Sequence, residues 1–112
     1  MPRFAATLTV VSGTFASQPL AFAAILDAAD EAGISVDLAD VDVIRHAAPV
    51  RLAHYFRPAI VARIEALKGE DDTVIILRPG EATQSPGFPA RHPKLRRLGV
   101  FAGTLVEPPE PE

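Results

Sequence analysis

A strand, a glycine turn, a helix and a second strand follow one another at the start of the chain, and this order constrains the fold most strongly. Residues 6–11 (ATLTVV) are β-branched and apolar and run into the turn Ser12-Gly13-Thr14. Ser17 is a good helix N-cap, and Gly33 suits the position after the last helical turn. Residues 34–39 (ISVDLA) alternate as a strand near a sheet edge does. We therefore expect a βαβ unit with two parallel strands and a right-handed crossover.

The middle of the chain predicts a loop followed by helix. Residues 40–49 look like a connecting loop, and residues 50–56 could form a short helical turn. A proline inside one long helix would cost about 3 kcal/mol, so we expect a separate helix to begin at Pro58. Gly69 closes that helix, and the carboxylates of Glu70, Asp71 and Asp72 are expected to solubilise the turn that follows, away from any ligand crevice.

The last part of the chain predicts two more strands. Thr73–Leu77 (TVIIL) is short, continuous and apolar, as in a central strand covered on both faces. A long loop over residues 78–94 precedes a strand at 98–106, and the acidic, proline-rich residues 107–112 (EPPEPE) are expected to be disordered or extended. The expected fold is one α/β domain over residues 1–106. It would be a three-layer, flavodoxin-like open sheet, mostly parallel, of about four strands in the order 2-1-3-4.

Composition excludes several classes of function. The net charge of −3 argues against nucleic-acid binding, which normally needs a basic excess. The chain contains no cysteine, so disulfides, thiol chemistry and cysteine-bound metals are excluded. No apolar run reaches the roughly 20 residues of a membrane helix, and the N-terminus lacks the pattern of a signal peptide. We expect a cytoplasmic protein.

The first strand-to-helix turn is the strongest candidate binding site. In open parallel sheets, ligands bind at the carboxyl ends of the strands. Gly13 would let backbone N–H groups approach an anion, the helix N-terminus adds partial positive charge, and Ser12, Thr14 and Ser17 offer hydroxyls. These are the requirements of a phosphate cradle. A plain strand-to-helix turn with Ser17 as its cap satisfies the same pattern.

Two stretches carry a resemblance to a known family. The stretch LTVVSGTFASQPLAFAAILDAADEAGISVDLADV looks like the opening of the NADPH-dependent FMN reductases, which have a Ser-Gly-Ser type turn between the first strand and helix. The stretch AHYFRPAIVARIEALKGEDDTVIILRP resembles that family's helix and third strand, which ends close to a proline. The resemblance covers residues 6–80. It implies a flavodoxin-like fold, FMN as cofactor and NADPH as electron donor.

The resemblance also implies particular binding residues. Ser12, Gly13, Thr14 and Ser17 match the turn that holds the FMN phosphate, and Arg78, Pro79 and Gly80 fall where the family's loop contacts the flavin ring. Ala102-Gly103-Thr104 falls weakly at a later glycine-rich turn. The chain is shorter than family members, has no basic residue in the phosphate turn and has no aromatic residue after Pro79 until Phe88. No catalytic residue is assigned.

A non-catalytic interaction or assembly subunit is the alternative. In the expected sheet, two helices cannot cover four strands, which would leave apolar surface partly bare at Val74, Ile75, Ile76, Val100, Phe101 and Leu105. That predicts a homo-oligomer, most simply a dimer, or docking onto a larger partner. A basic cluster near Arg78 could hold an anion or an acidic partner, and comprises Arg91, His92, Lys94, Arg96 and Arg97.

The third interpretation is a different fold, a thioredoxin-like mixed sheet in which the last two strands form a hairpin, and without cysteine it would be a binding module. The three histidines, His46, His54 and His92, share no ligand spacing, so no metal site is expected. His54 and Tyr55 could line a ligand site, although a packed, half-exposed pair fits the same pattern.

Overall fold

The computed structural model describes residues 3–45, 49–80, 83, 88 and 91–106. Its elements are β1 (Arg3–Gly13), α1 (Gln18–Ala32), a 3-10 turn (Leu38–Asp40), β2 (Val41–Ile44), α2 (Pro49–Leu52), α3 (Pro58–Leu67), β3 (Thr73–Leu77) and β4 (Arg96–Val106). His46 and the tail at 107–112 lie outside the described residues. Within the described part, no helix is long and apolar enough to cross a membrane.

The four strands form one open, entirely antiparallel sheet in the order β2-β3-β1-β4. β3 lies between β2 and β1, with Ile76 opposite both Asp42 and Val10. β4 pairs with the other side of β1 along its length, from Arg3–Val106 to Ser12–Arg96. β1 and β2 therefore run in one direction and β3 and β4 in the other. The end at which β1 finishes is called the upper end below.

The predicted parallel, flavodoxin-like sheet of order 2-1-3-4 is wrong, and so is the mixed, thioredoxin-like alternative. Two strands joined by one crossover helix run parallel because the helix returns the chain to its starting end. Here residues 49–57 bring the chain down from the upper end, and α3 takes it up again from Pro58. Because α3 returns the chain to the upper end, β3 starts there and runs downward between β1 and β2. β3 and β4 do not form a hairpin, since β1 separates them.

Several predicted elements are confirmed. Ser17 caps α1, its Oγ accepting the Leu20 N–H at 3.4 Å, and Gly33 ends the helix in the left-handed region with φ 70°. β3 occupies the predicted Thr73–Leu77, is central and is buried at every position. The predicted second strand at 34–39 is wrong. That stretch leads into the 3-10 turn, and the strand begins at Val41, in the predicted loop.

The helices cover opposite faces of the sheet. On one face, α1 packs its small residues and Ile25 against Val11, Val43 and Ile75. On the other, α3 and the segment before it pack Leu52, Phe56, Val61 and Ile64 against Leu8, Val10, Val74, Ile76 and Phe101. Adjacent strand residues alternate between the two faces. The sheet is therefore the middle layer of three.

The bare sheet face that we expected is absent from the described residues. Val74, Ile75 and Ile76 are fully buried and Phe101 is nearly so, because the helices and the segment before β4 cover these positions. Of the expected bare positions, only Val100 is exposed, at 45%. The side chain of Leu105 lies outside the described part. The expected bare face therefore gives no support to self-association, which would have to use another surface.

Candidate functional site

A groove at the upper end contains parts of two features that the sequence singled out separately. Its volume is about 610 Å³. One wall comes from the turn after β1 and from α1, with Thr14, Phe15 and Leu20, and the other from the segment before β4, with His92, Pro93 and Lys94. The phosphate turn and the basic cluster thus meet at one surface. We call this surface the upper groove.

Gly13 makes this meeting possible. A Cβ on Gly13 would lie 2.4 Å from the Lys94 carbonyl oxygen and 2.6 Å from the ring of Phe15, distances that real Cβ atoms do not show. The missing side chain therefore lets the segment carrying Lys94 pack directly against the turn. We predicted that Gly13 would let the backbone approach a phosphate. In the structure, it instead lets the segment carrying Lys94 approach the turn after β1.

The hydroxyls of the predicted cradle do not converge on one point. Ser12 lies on the sheet face of Val10, opposite the face of Val11 and the upper groove, is fully buried, and its Oγ has no hydrogen-bond partner among the described residues. The Thr14 hydroxyl donates to Asp72 Oδ1 at 3.0 Å, and Ser17 caps α1. Of these three residues, only Thr14 lines the upper groove.

Asp72 lies close to this site, contrary to expectation. The carboxylates before β3 were expected away from any ligand crevice, which would be true of a parallel strand. Because β3 is antiparallel to β1, its first residue lies beside Gly13 at the upper end. Asp72 there accepts hydrogen bonds from the Thr14 hydroxyl and, through Oδ2, from the Gly69 N–H at 2.9 Å. It ties the turn after β1 to the loop after α3.

The charges around the upper groove are mixed. Lys94 and the N-terminus of α1, which has no acidic residue in its first turn, contribute positive potential. Asp27, more than two turns into α1, contributes a carboxylate. His92 is 8% exposed and its Nδ1 accepts the Lys94 N–H at 3.2 Å, so a neutral ring carries its proton on Nε2. Most of the remaining lining is apolar and comes from Phe15, Leu20, Ala23, Ala24 and Pro93.

The predicted basic cluster is divided in the structure. Arg91, Arg96 and Arg97 are exposed, and only His92 and Lys94 line the upper groove. Arg96 donates a hydrogen bond to the Leu67 carbonyl at the end of α3. The cluster is not close to Arg78, since β3 carries Arg78 to the lower end of the sheet.

Arg78, Pro79 and Gly80 therefore lie apart from the upper groove. β3 runs downward from Thr73, and five residues of strand span roughly 17 Å. The two halves of the predicted flavin site would meet only if β1 and β3 were parallel. Gly80 instead donates its N–H to Thr83 Oγ1 at 3.0 Å in a local turn beside a cavity of about 40 Å³, which holds little more than a water molecule.

At the lower end, one carboxylate joins three parts of the fold. Asp42 Oδ2 on β2 accepts a hydrogen bond from the Tyr55 hydroxyl at 2.6 Å and forms an ion pair with Arg78 Nη2 at 2.6 Å. Arg78 also donates from Nη1 to the Ala39 carbonyl at 3.4 Å. Burial, together with the bond to Asp42, raises the pKa of Tyr55 to about 12. We call Tyr55, Asp42 and Arg78 the lower network.

The lower network has a structural role. Its groups satisfy one another and link β2, the segment before α3 and the end of β3. Sequence reasoning placed Arg78 against a ligand and missed Asp42. Alternation along β2 could have indicated a partly buried carboxylate on the α3 face, but only after β2 had been placed at Val41–Ile44. His54, beside Tyr55, is exposed.

Comparison with known proteins adds no family to this description, since no family model, no curated protein and no solved structure matches the chain.

Proposed function

We propose that the domain binds a small anionic ligand with an apolar body in the upper groove. The observation that carries the proposal is the meeting of the turn after β1 with the segment carrying Lys94, two features that the sequence predicts independently as anion-binding. The groove volume of about 610 Å³ lies within the usual range for ligand sites, roughly 300–1,000 Å³. Its lining, mostly apolar with a few polar groups, is also typical of such sites.

FMN is the candidate ligand, because a phosphate at Lys94 and the α1 N-terminus would leave the isoalloxazine ring near Phe15 and Leu20. This placement uses Thr14 from the predicted phosphate turn and does not use Ser12, Arg78, Pro79 or Gly80. The proposed function is binding, with no catalytic step assigned to the protein's own residues. NADPH is the electron donor that the family resemblance implies. Anaerobic addition of NADPH to FMN-loaded protein would test it through bleaching of the flavin absorbance.

Titration with FMN and riboflavin tests the proposal, because the two share a ring and differ in the phosphate. Quenching of flavin fluorescence should saturate, with FMN binding more tightly than riboflavin. Lys94→Ala should weaken FMN binding about 10-fold, which corresponds to about 1.4 kcal/mol, a typical charged hydrogen bond. Arg57→Ala is the matched control, since Arg57 is also an exposed basic residue and lies at the start of α3, across the sheet.

Two results would contradict the proposal in different ways. Equal affinity for FMN and riboflavin would remove the role of the anion and leave only an apolar groove. No saturable binding of either flavin up to about 1 mM, an affinity of about −4 kcal/mol, would reject FMN as the ligand. Protection of Lys94 from acetylation by inorganic phosphate, but not by chloride at the same ionic strength, would then support an anion site that does not bind flavin.

A specific observation at β4 favours a second candidate function, that of an assembly module acting as a homo-oligomer or docking onto a larger partner. β4 has 11 residues and lies at the edge of the sheet, and no strand among the described residues pairs with its outer side. Exposed strand edges are templates for pairing with another chain. Sedimentation at increasing protein concentration tests this function. The assembly function would be contradicted if the protein stayed monomeric at every concentration and were stable without a partner.

A further inference from the structure

The backbone groups that β4 presents outward can be identified from one hydrogen bond. Thr104 donates its N–H to the carbonyl of Tyr55, at 2.6 Å, and so directs it away from β1. In an antiparallel strand, every second residue directs both its N–H and its C=O to the same side. The pairing of β4 with β1 keeps one register from Val106 to Gly99. Ala102 and Val100 therefore present their N–H and C=O groups to the outer edge.

This open edge is short and is bounded at both ends. On its upper side a β-bulge interrupts the ladder, since Val10 pairs with Gly99 and Val11 with Arg97, and Gly99 has φ 147°. On its lower side the Tyr55 carbonyl occupies the Thr104 N–H. The segment between them, Val100–Gly103, contains no charge and no proline, the usual protections of an edge strand.

The side chains of this segment also favour burial on the α1 face. Val100 pairs with Thr9 and Ala102 with Thr7, so both point to the face that carries Val11 and α1. Val100 is 45% exposed and Ala102 is exposed, so the α1 face is open at this part of β4. Phe101 points to the other face, where it is buried against Phe56 and Arg63.

Charged residues of opposite sign precede and follow the uncharged part of β4 in the sequence. Basic residues lie at and before its start, namely Arg91, Lys94, Arg96 and Arg97. Acidic residues follow its end in the sequence, namely Glu107, Glu110 and Glu112. In an antiparallel pair of copies, the basic start of each strand approaches the end of the other strand, which the acidic residues follow in the sequence. A parallel arrangement would bring like charges together.

We propose that two copies of this chain pair antiparallel through β4, about a two-fold axis at Phe101. This inference rests on the assembly function proposed above and names its partner and register. Val100 of each copy lies opposite Ala102 of the other, and each such pair exchanges two backbone hydrogen bonds. The sheets of the two copies become continuous, Val100 is covered, and the opposite charges at the strand ends select the antiparallel orientation. The interface is the same patch on both copies, as two-fold symmetry requires.

Cysteine cross-linking tests the register, and the native chain helps because it has no cysteine. Val100→Cys/Ala102→Cys should form a disulfide-linked dimer on mild oxidation, since the paired Cα atoms would be about 5.5 Å apart. Either single variant should cross-link far less, because its cysteines would not face each other. Val50→Cys is the control for random collision, since Val50 is exposed on α2.

The outcomes separate this inference from the assembly function. Efficient cross-linking by the single Ala102→Cys variant would show a dimer in a different register and overturn the inference alone. Wild-type dimers in sedimentation, with no cross-linking above the Val50→Cys level, would place the interface elsewhere and also overturn it. A wild-type monomer up to about 1 mM, with no cross-linking, would overturn both the inference and self-assembly.

Two further variants test the hydrogen bonds and the charges. Ala102→Pro removes an N–H that β1 does not use and should weaken dimerisation at least about 10-fold while circular dichroism and the melting temperature of the monomer stay unchanged. Arg97→Glu should weaken it several-fold at low salt and much less at high salt, with Arg45→Glu as the exposed control outside β4. Unaltered dimerisation in Ala102→Pro would overturn the proposed pairing.

Discussion

A Cβ placed on Gly103 would lie 2.8 Å from the carbonyl oxygen of Tyr55, so the segment before α3 crosses β4 only because position 103 has no side chain. The same Cβ would lie 2.6 Å from Leu8 and 3.0 Å from the ring of Phe56. That carbonyl accepts the N–H of the next residue, Thr104, which fastens the segment to the edge of the sheet. One glycine thus permits the additional chain pass that makes the sheet antiparallel.

Gly103→Ala should therefore destabilise the protein by about 1–3 kcal/mol, the usual cost of overpacking a well-filled site. Urea unfolding followed by circular dichroism measures this change. Gly80→Ala is the matched control, because the nearest atom to its Cβ would be 4.0 Å away, and it should change the free energy of unfolding little. Equal effects of the two variants would contradict the close approach of Tyr55.

Alkaline titration should give Tyr55 a pKa of about 12, well above the usual value of 10. Burial and the bond to Asp42 favour the neutral phenol in the folded protein. The folded pKa exceeds the unfolded one, so this contribution to stability is complete below pH 10 and is lost as the pH rises towards 12.

Tyrosinate absorbance reads this group alone, because the chain has one tyrosine and no tryptophan. Asp42→Asn should lower the midpoint, since it removes a negative charge beside the phenol. Circular dichroism along the titration shows whether the fold persists. A midpoint near 10 in protein that is still folded would contradict the hydrogen bond from Tyr55 to Asp42.

Ser12→Ala should leave stability unchanged or raise it by up to about 1 kcal/mol. The variant removes a fully buried hydroxyl that has no partner among the described residues, and an unsatisfied buried polar group is costly. Ser17→Ala is the matched control and should destabilise by about 0.5–1 kcal/mol through loss of the α1 cap. Thermal unfolding compares the two. If Ser12→Ala destabilised more than Ser17→Ala, the Ser12 hydroxyl would have a partner.

Ser12→Ala also distinguishes two placements of a ligand. A phosphate cradle of the kind predicted from the sequence uses the Ser12 hydroxyl, and its loss would weaken FMN binding. Ser12 points to the α3 face in the structure, so FMN affinity in the upper groove should be unchanged. Weaker binding by Ser12→Ala, with unchanged stability, would favour the original cradle.

The ion pair between Asp42 and Arg78 should be coupled by on the order of 1 kcal/mol in a double-mutant cycle with alanine. Its 2.6 Å distance and partial burial favour the pair over a fully exposed one. The pair Glu65–Lys68 at the end of α3, which is also partly buried but has a longer distance of 3.7 Å, is the comparison and should show a weaker coupling. Equal coupling in the two cycles would show that the short distance between Asp42 and Arg78 adds nothing to the strength of the ion pair.

Local patterns in the sequence predicted the elements whose cause is local. Ser17 and Gly33 bound α1 through capping and a left-handed turn, interactions confined to a few neighbouring residues. The apolar run Thr73–Leu77 predicted a buried central strand, since a strand with no polar alternation is typical of burial on both faces. The strand at Val41–Ile44 was missed because a short strand needs its partner, here β3, to be distinguished from a loop.

Strand direction was decided by the tertiary structure. A continuous apolar strand such as β3 fits the centre of a sheet in either direction, because its side chains meet the same two layers. The direction of β3 is set by residues 49–57, which run down to the lower end before α3 begins at Pro58. Their path depends on contacts between residues distant in sequence, such as those of Tyr55 with Asp42 and Thr104. The direction of β3 then decided the candidate site, since it moved Arg78 away from the turn after β1 and brought Asp72 beside it. Residue types and local elements followed from the sequence, whereas the grouping of side chains at each end of the sheet depended on strand direction, which no local pattern encodes.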